Sequence, residues 1–139
     1  MNPYAKPLEE ILLRLDALSD ALDLFDYLVE EAALSGLEAD DTLRRDRNLV
    51  KGCDSLLWVE ASVAADGTLQ FRGDSDSMLL RGMLALLEKL YCHKPVPVIA
   101  QAGLTLLRHD LLKECFSEKQ LQSLRHICQD LENMHERKN

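Results

Sequence analysis

Cys53 has the surroundings in this sequence that most favour chemistry. Gly52 precedes it, so the thiol is expected in a turn between two predicted strands. Positive charge nearby favours the thiolate, which is the nucleophilic form of cysteine, whereas the neighbouring carboxylate of Asp54 disfavours a second anion. Four cationic residues lie within the ten positions before the cysteine: Arg44, Arg45, Arg47 and Lys51. These residues alone leave open whether Cys53 is reactive or is an inert cysteine in a loop.

Metal binding is a weaker interpretation of the remaining cysteines and the histidines. The candidate ligands are Cys92, His93, His109, Cys115, His126 and Cys128. No pair shows the tight spacing, such as Cys-x2-Cys, that makes zinc ligation a strong hypothesis. Cys128 falls on the apolar face of the last predicted helix, where a buried thiol is the usual outcome. We therefore predict no metal ligands and four free thiols.

Composition limits the class of protein. The chain has 139 residues, 47% of them hydrophobic and 29% charged, which predicts one folded domain over residues 1–139. Its net charge of −8 argues against nucleic-acid binding, which needs an excess of lysine and arginine. No apolar run has the length of a membrane span, and the first residues lack a signal-peptide pattern. We expect a cytoplasmic protein with flexible tails at residues 1–6 and 133–139.

Two helices are predicted before the cysteine segment. Pro7 suits the first turn of the first helix, and Ser19 and Asp20 indicate a break followed by a new N-terminal cap. Apolar residues then recur at helical spacing until Gly36, which is typical of a helix end. Residues 38–47 are polar and predict a loop.

A small sheet is predicted around Cys53. Residues 48–50, 55–63 and 68–72 have the composition of strands, and Asp66-Gly67 is a strong hairpin signal. Residues 73–76 are expected to stop the last strand and to cap a long helix that contains Gly82. Because glycine within a helix costs about 1 kcal/mol relative to alanine, it indicates a close backbone contact. These elements predict an antiparallel three-stranded sheet.

Further helices follow the sheet. Pro95 and Pro97 end the long helix region, and residues 98–112 predict one or two short helices with a break near Gly103. Ser117 and Gln120 have the spacing of a capping box before the final helix. The order of helices and strands predicts an α+β fold in which the sheet packs against helices.

Two sequence blocks resemble the SufE-type sulfur-acceptor family. Residues 52–58, Gly-Cys-Asp-Ser-Leu-Leu-Trp, resemble its Gly-Cys-x-Ser-x-x-Trp signature, and Arg44, Asn48 and Val50 match its upstream positions. Residues 73–76, Gly-Asp-Ser-Asp, resemble its second motif, which Gly82 and Leu86 follow. The blocks occur in the family's order and spacing, and the likeness extends over about residues 20–130.

The resemblance implies a sulfur relay. A pyridoxal-phosphate cysteine desulfurase would pass persulfide sulfur to Cys53, and the chain would stimulate that enzyme and hand the sulfur to an iron–sulfur scaffold or another acceptor. It implies a fold shared with IscU-type scaffolds, no cofactor on this chain, and a monomer or weak homodimer. The chain would be a persulfide-carrying accessory protein rather than a stand-alone enzyme.

The resemblance also gives supporting residues. They are Arg44, Asn48, Lys51, Gly52, Ser55, Asp74, Ser75 and Asp76. Gly52 supplies backbone freedom, and Ser55 is a candidate to hydrogen-bond near the sulfur or within its own turn. The residues at 74–76 fix the adjacent loop, meet the partner or only cap the helix; the sequence leaves all three open.

Three departures from the family bear on the partner. Asp54 stands where glutamine is usual, residues 36–38 replace a Leu-Pro pair, and residues 117–123 lack the family's Ser-Pro-Ser-Arg and following glycine. Two other functions remain open: a non-catalytic adaptor that regulates a cysteine desulfurase, and a metal-binding scaffold of the IscU-like fold.

Overall fold

The computed structural model describes residues 5–34, 42–52, 55–95 and 101–137. Within these ranges the chain is α+β, with six helices and a two-stranded antiparallel sheet. The helices are α1 (Lys6–Ala17), α2 (Ala21–Leu34), α3 (Met78–Tyr91), α4 (Ala102–Leu107), α5 (Asp110–Cys115) and α6 (Glu118–Arg137). The strands are β1 (Leu57–Val63) and β2 (Leu69–Ser75).

The break between α1 and α2 forms a reciprocal cap. The backbone N–H of Asp23 donates to Oδ1 of Asp20, and the backbone N–H of Ser19 donates to Oδ2 of Asp23, both at 3.0 Å. The bond to Asp20 satisfies a donor that the first helical turn of α2 leaves without a partner, and the bond from Ser19 ties the preceding residue to the same turn. The predicted cap at Asp20 and the predicted position of Pro7 in the first turn of α1 are confirmed. Gly36 lies outside the described residues.

The sheet is a hairpin whose turn lies at the predicted position. β1 and β2 pair from Leu57 opposite Ser75 to Val63 opposite Leu69. Gly67 has φ +87°, which glycine adopts without the penalty of a side chain. Oδ1 of Asp66 accepts hydrogen bonds from the backbone N–H and the hydroxyl of Thr68. The Asp66-Gly67 hairpin is therefore confirmed.

The prediction of a third strand is wrong. Within the described residues, the stretch 48–50 makes one isolated bridge, between Leu49 and Trp58, supported by the backbone N–H of Val50 donating to the Leu57 carbonyl at 2.7 Å. Residues Asp46–Asn48 form a single 3-10 turn, and Gly52 bends the chain with φ +88°. Too few residues between these two bends are extended to form a ladder.

Residues 73–75 extend β2 instead of ending it, and the predicted cap at residues 73–76 is wrong. Ser77 is the N-cap of α3, where its hydroxyl accepts a hydrogen bond from the backbone N–H of Leu80. Asp74 is paired with Trp58 in the sheet register. Its carboxylate is held by arginines, so it is not available to the helix N-terminus.

The core is built around α3, which packs against α2 on one side and β2 on the other. Gly82 makes this possible, because a Cβ at its position would lie 2.7 Å from Cβ of Leu28 in α2 and would clash with the Leu28 backbone carbonyl. The predicted close contact at Gly82 is confirmed.

The C-terminal helices α4, α5 and α6 also contribute residues to the core. The break between the short helices falls at Arg108 and His109, whereas Gly103 is inside α4, where it lies close to Tyr91 and Cys128. The prediction of a break at Gly103 is therefore wrong. Ser117 and Gln120 form the predicted capping box through reciprocal hydrogen bonds of 2.9 and 3.1 Å. α6 is helical through Arg137, so residues 133–137 continue the last helix.

Candidate functional site

Cys53 and Asp54 lie outside the described residues, so the site is defined by the residues on both sides of them. Gly52 and Lys51 precede the cysteine and are exposed, and Ser55 follows and is half-buried. These neighbours mark the two ends of the described chain on either side of the cysteine.

The chain bends at Gly52, which is exposed. Its φ of +88° falls in the region that favours glycine, and among the described residues, its chain neighbours aside, no heavy atom lies within 4 Å of the position that a Cβ would take. The glycine is thus required by backbone conformation and not by crowding.

Arg44, in the loop before the bend, is held by the buried carboxylate of Asp74. Asp74 is 1% exposed and lies between two guanidinium groups. Nε of Arg44 donates to its Oδ2 and Nε of Arg81 donates to its Oδ1, each at 2.7 Å. We call Arg44, Asp74 and Arg81 the Asp74 cluster. It joins the loop before Cys53 to β2 and α3.

The charge state of Asp74 is set by opposing effects. Burial raises the pKa of its carboxyl group, but hydrogen bonds from Arg44, from the Ser75 backbone N–H and from Arg81 outweigh burial and lower the pKa below its ordinary value. The carboxylate is therefore ionised at neutral pH. An ionised, hydrogen-bonded carboxylate can hold both cations at short distance.

Arg44 has two further contacts that fix its position. Its guanidinium carbon lies 4.8 Å from the ring centroid of Trp58, a cation–π arrangement. Its Nη2 atom also donates to the carbonyl of Ser75 at 3.4 Å. The first motif block is thus bound to the second across the sheet.

Ser75 and Asp76 hold the residue that follows the cysteine turn. The Ser75 hydroxyl donates to the carbonyl of Leu56 at 2.6 Å and accepts from the backbone N–H of Ser77 at 3.1 Å. Oδ1 of Asp76 accepts from the backbone N–H of Leu56 at 3.1 Å. Residues 74–76 therefore hold Arg44 before the cysteine and Leu56 after it, and the helix-cap interpretation is wrong for them.

Asn48 stabilises the loop before Cys53 through a buried hydrogen bond. It is buried, and its side-chain amide donates to the carbonyl of Leu43 at 2.9 Å. Leu43 itself is fully buried, so the loop has an apolar attachment beside the polar one. Asn48 is a structural residue of the loop in this arrangement.

A half-open groove with a volume of about 610 Å³ adjoins the bend. One wall is formed by residues 47–52, the other by α6, and the floor includes Val59, Ala61 and Phe71. We call it the α6 groove. Lys51 and Gly52 line it, so it reaches the residue next to Cys53.

Sequence reasoning missed Arg81 and the contact of Trp58 with Arg44. Trp58 is nearly buried, as a core residue would be, but its ring also supports a cation. Arg81 lies within the first turns of α3, after the second motif block, and points back to Asp74. The sequence signal that could have indicated this contact was a cation a few positions after the acidic residue near the end of β2.

The other cysteines differ from a reactive thiol. Cys128 is fully buried, and burial raises the pKa of its thiol to about 12. Burial also raises the pKa of Cys115, and the half-buried sulfur of Cys92 accepts a hydrogen bond from the Phe71 backbone N–H at 3.5 Å. All three are free thiols.

The described residues contain no group of three or more histidine, cysteine or acidic side chains placed to hold a metal ion. None of the helices in the same residues is both long enough and apolar enough to span a membrane.

The α+β fold, with a small antiparallel sheet packed against helices, agrees with the fold that the motif resemblance implies. The family model of the SufE Fe-S metabolism associated domain matches residues 9–135 of the chain. The chain belongs to the SufE family, so the resemblance of the motifs is confirmed. Membership assigns the protein a role in iron–sulfur metabolism.

Proposed function

We propose that Cys53 accepts sulfur from the persulfide of a pyridoxal-phosphate cysteine desulfurase and passes it on for iron–sulfur cluster assembly. The observation that carries the proposal is the direct bond between the two family motifs, from Arg44 of the first to Asp74 of the second. This bond and the contacts of Ser75 and Asp76 hold the chain on both sides of Cys53. A cysteine that lies in the sequence between two held residues, Arg44 and Leu56, suits a group that must be presented to a partner.

The proposed reaction is an exchange between sulfur atoms. The Cys53 thiolate attacks the outer sulfur of the donor persulfide, a new S–S bond forms on Cys53, and the donor's S–S bond breaks. The donor cysteine leaves as a thiolate, and the terminal sulfur remains on Cys53 as a persulfide. No electron is gained or lost overall, so the step needs no oxidant and no cofactor on this chain.

Local charge supports the thiolate that this step requires. Lys51 is next to the bend and exposed, and Arg47 lies on the same wall of the α6 groove. Cations near a thiol stabilise the thiolate. Arg44 contributes differently, because its guanidinium is already bound to Asp74 and Trp58. We assign Arg44 a positioning role and Lys51 an electrostatic one.

The test is to map the transferred sulfur. The chain is incubated with the purified cysteine desulfurase of its own organism and with free cysteine, and each cysteine peptide is examined by mass spectrometry under non-reducing conditions. We expect Cys53 to gain one sulfur atom and Cys53→Ser to abolish stimulation of the desulfurase. Cys115→Ser is the matched control, because Cys115 is a half-buried thiol in α5, and it should behave as the unaltered chain.

Two outcomes would contradict the proposal. The first is the absence of added sulfur on Cys53 under conditions in which the desulfurase carries its own persulfide. The second is full stimulation by Cys53→Ser, which would favour an adaptor that remodels the desulfurase without accepting sulfur. Sulfur found on Cys53 can then be followed to an iron–sulfur scaffold or to another acceptor by adding each in turn.

A further inference from the structure

The α6 groove has an apolar floor and polar walls. Val59, Ala61 and Phe71 contribute to the floor from the sheet, and Ile127 and Leu131 contribute from α6. Its volume of about 610 Å³ is within the range of clefts that bind ligands, but it is half-open and bounded by two long walls. This shape fits a segment that lies along the groove better than a compact molecule that must be enclosed.

The charge of the groove is opposite to that of the whole chain. Arg47 and Lys51 lie on the loop wall, Lys119 and His126 lie on the α6 wall, and Asp130 is the acidic residue among those that line it. Even with histidine counted as neutral, the described residues that line the groove carry three cations and one anion, in a chain whose net charge is −8. Lys119 and Asp130 each have an interaction within the chain as well.

Part of this charge is already balanced at the edge of the groove. Arg47 lies 4.0 Å from a carboxylate oxygen of Glu60, but its side chain is 69% exposed. An ion pair so exposed and so long contributes little. The cation is therefore able to meet a second carboxylate from outside.

We propose that the α6 groove binds an extended, acidic segment of the cysteine desulfurase that loads Cys53. The inference rests on the proposed function for the identity of the partner. Carboxylates on such a segment would meet cations on both walls, and its apolar side chains would cover the floor. Because the groove reaches Gly52, a segment bound there brings the donor protein next to the cysteine turn. Complementary charge across an interface increases the rate of encounter and selects the partner.

The experiment separates binding from chemistry by using the chain with Cys53→Ser. Its affinity for the purified desulfurase is measured at low and at high salt, with and without Lys119→Glu. Charge reversal at Lys119 should weaken binding by about 3- to 10-fold at low salt and reduce the dependence on salt. Glutamate suits the first turn of a helix, and Lys119 occupies that turn of α6, so folding is expected to survive.

Lys113→Glu is the matched control, since Lys113 is an exposed lysine in α5 and does not line the groove. Gln122→Glu, at an exposed position that does line it, introduces the same negative charge without removing a lysine. Thermal melting of each variant checks the fold. Equal affinities for Lys119→Glu, Gln122→Glu and Lys113→Glu would overturn the groove proposal even if Cys53 accepts sulfur.

A photo-crosslinker at position 122 identifies the occupant. Crosslinks to an acidic segment of the desulfurase support the proposal, whereas crosslinks to a second copy of this chain, or to a segment without acidic residues, overturn it. Failure of the proposed function gives a different result: charge-dependent binding persists, but no sulfur reaches Cys53 in the unaltered chain. Loss of binding on adding inorganic phosphate at constant ionic strength would indicate a small-anion site and would also overturn the proposal.

Discussion

Arg44 and Gly52 belong to the same segment before Cys53, but their surroundings differ in kind. Arg44 contacts a buried carboxylate, a backbone carbonyl and an aromatic ring. Gly52 is exposed, and none of the described residues other than its chain neighbours comes close to the place of a side chain. Side-chain contacts thus hold the start of the segment, whereas the feature that distinguishes Gly52 is its backbone conformation.

This difference suits the sulfur transfer proposed above. The Asp74 cluster fixes the start of the segment relative to the core, as a nucleophile that must be positioned for a partner would require. The bend at Gly52 is exposed and has a backbone conformation that favours glycine.

The largest expected effect comes from breaking the fixed start with Asp74→Asn. The substitution keeps the shape of the side chain but removes the charge between Arg44 and Arg81, which are 31% and 21% exposed. Because it leaves cations beside a buried neutral group, we expect a loss of about 3 kcal/mol in the free energy of unfolding. Urea denaturation measures it.

A matched control for Asp74→Asn is Asp110→Asn, whose side chain is 96% exposed and lies 3.8 Å from Lys113. It removes one carboxylate of the same type from the surface and should change stability little. Equal stability of the two variants would mean that the Asp74 cluster does not hold the segment.

The same cluster predicts a pH dependence. The folded state lowers the pKa of Asp74 below its ordinary value of 3.8, so its carboxylate stabilises the fold above the unfolded-state pKa. That stabilisation is lost as the pH falls through the folded-state pKa. The stability difference between the unaltered chain and Asp74→Asn should be constant near neutral pH and should shrink below about pH 4. Urea titrations at each pH test this, and a difference that stays constant down to about pH 2 would contradict it.

Contacts between residues that are close in the sequence could be predicted, whereas most contacts between residues far apart in the sequence could not. The hairpin turn at Asp66-Gly67, the reciprocal cap at Asp20 and the capping box at Ser117 were predictable, because each involves residues a few positions apart. The tight packing at Gly82 was predictable too, since glycine within a helix has a known cost.

Contacts between distant parts of the chain explain the errors. Residues 73–75 resemble a helix start, but their pairing with β1 and the two arginines beside Asp74 override that local preference. Residues 48–50 have strand composition, yet the 3-10 turn before them and the bend after them leave one bridge. Motif matching indicated Arg44 and Asp74, but only the structure shows that they bind each other.

The smallest expected effect on stability comes from closing the open end with Gly52→Ala. None of the described residues beyond its chain neighbours blocks a methyl group there, so we expect the cost to come from φ +88° and to be about 1 kcal/mol or less, because an exposed bend can relax. Sulfur acceptance by Cys53 should fall much more than stability does, since a relaxed bend directs the turn differently. Single-turnover transfer followed by mass spectrometry measures the rate, and urea denaturation measures the stability.

Gly67→Ala is the control, because Gly67 has nearly the same φ in the β1–β2 turn, with no atom nearby. It should lower stability to a similar degree and leave sulfur acceptance unchanged. If both glycine variants accept sulfur at the rate of the unaltered chain, the bend at Gly52 has no part in transfer.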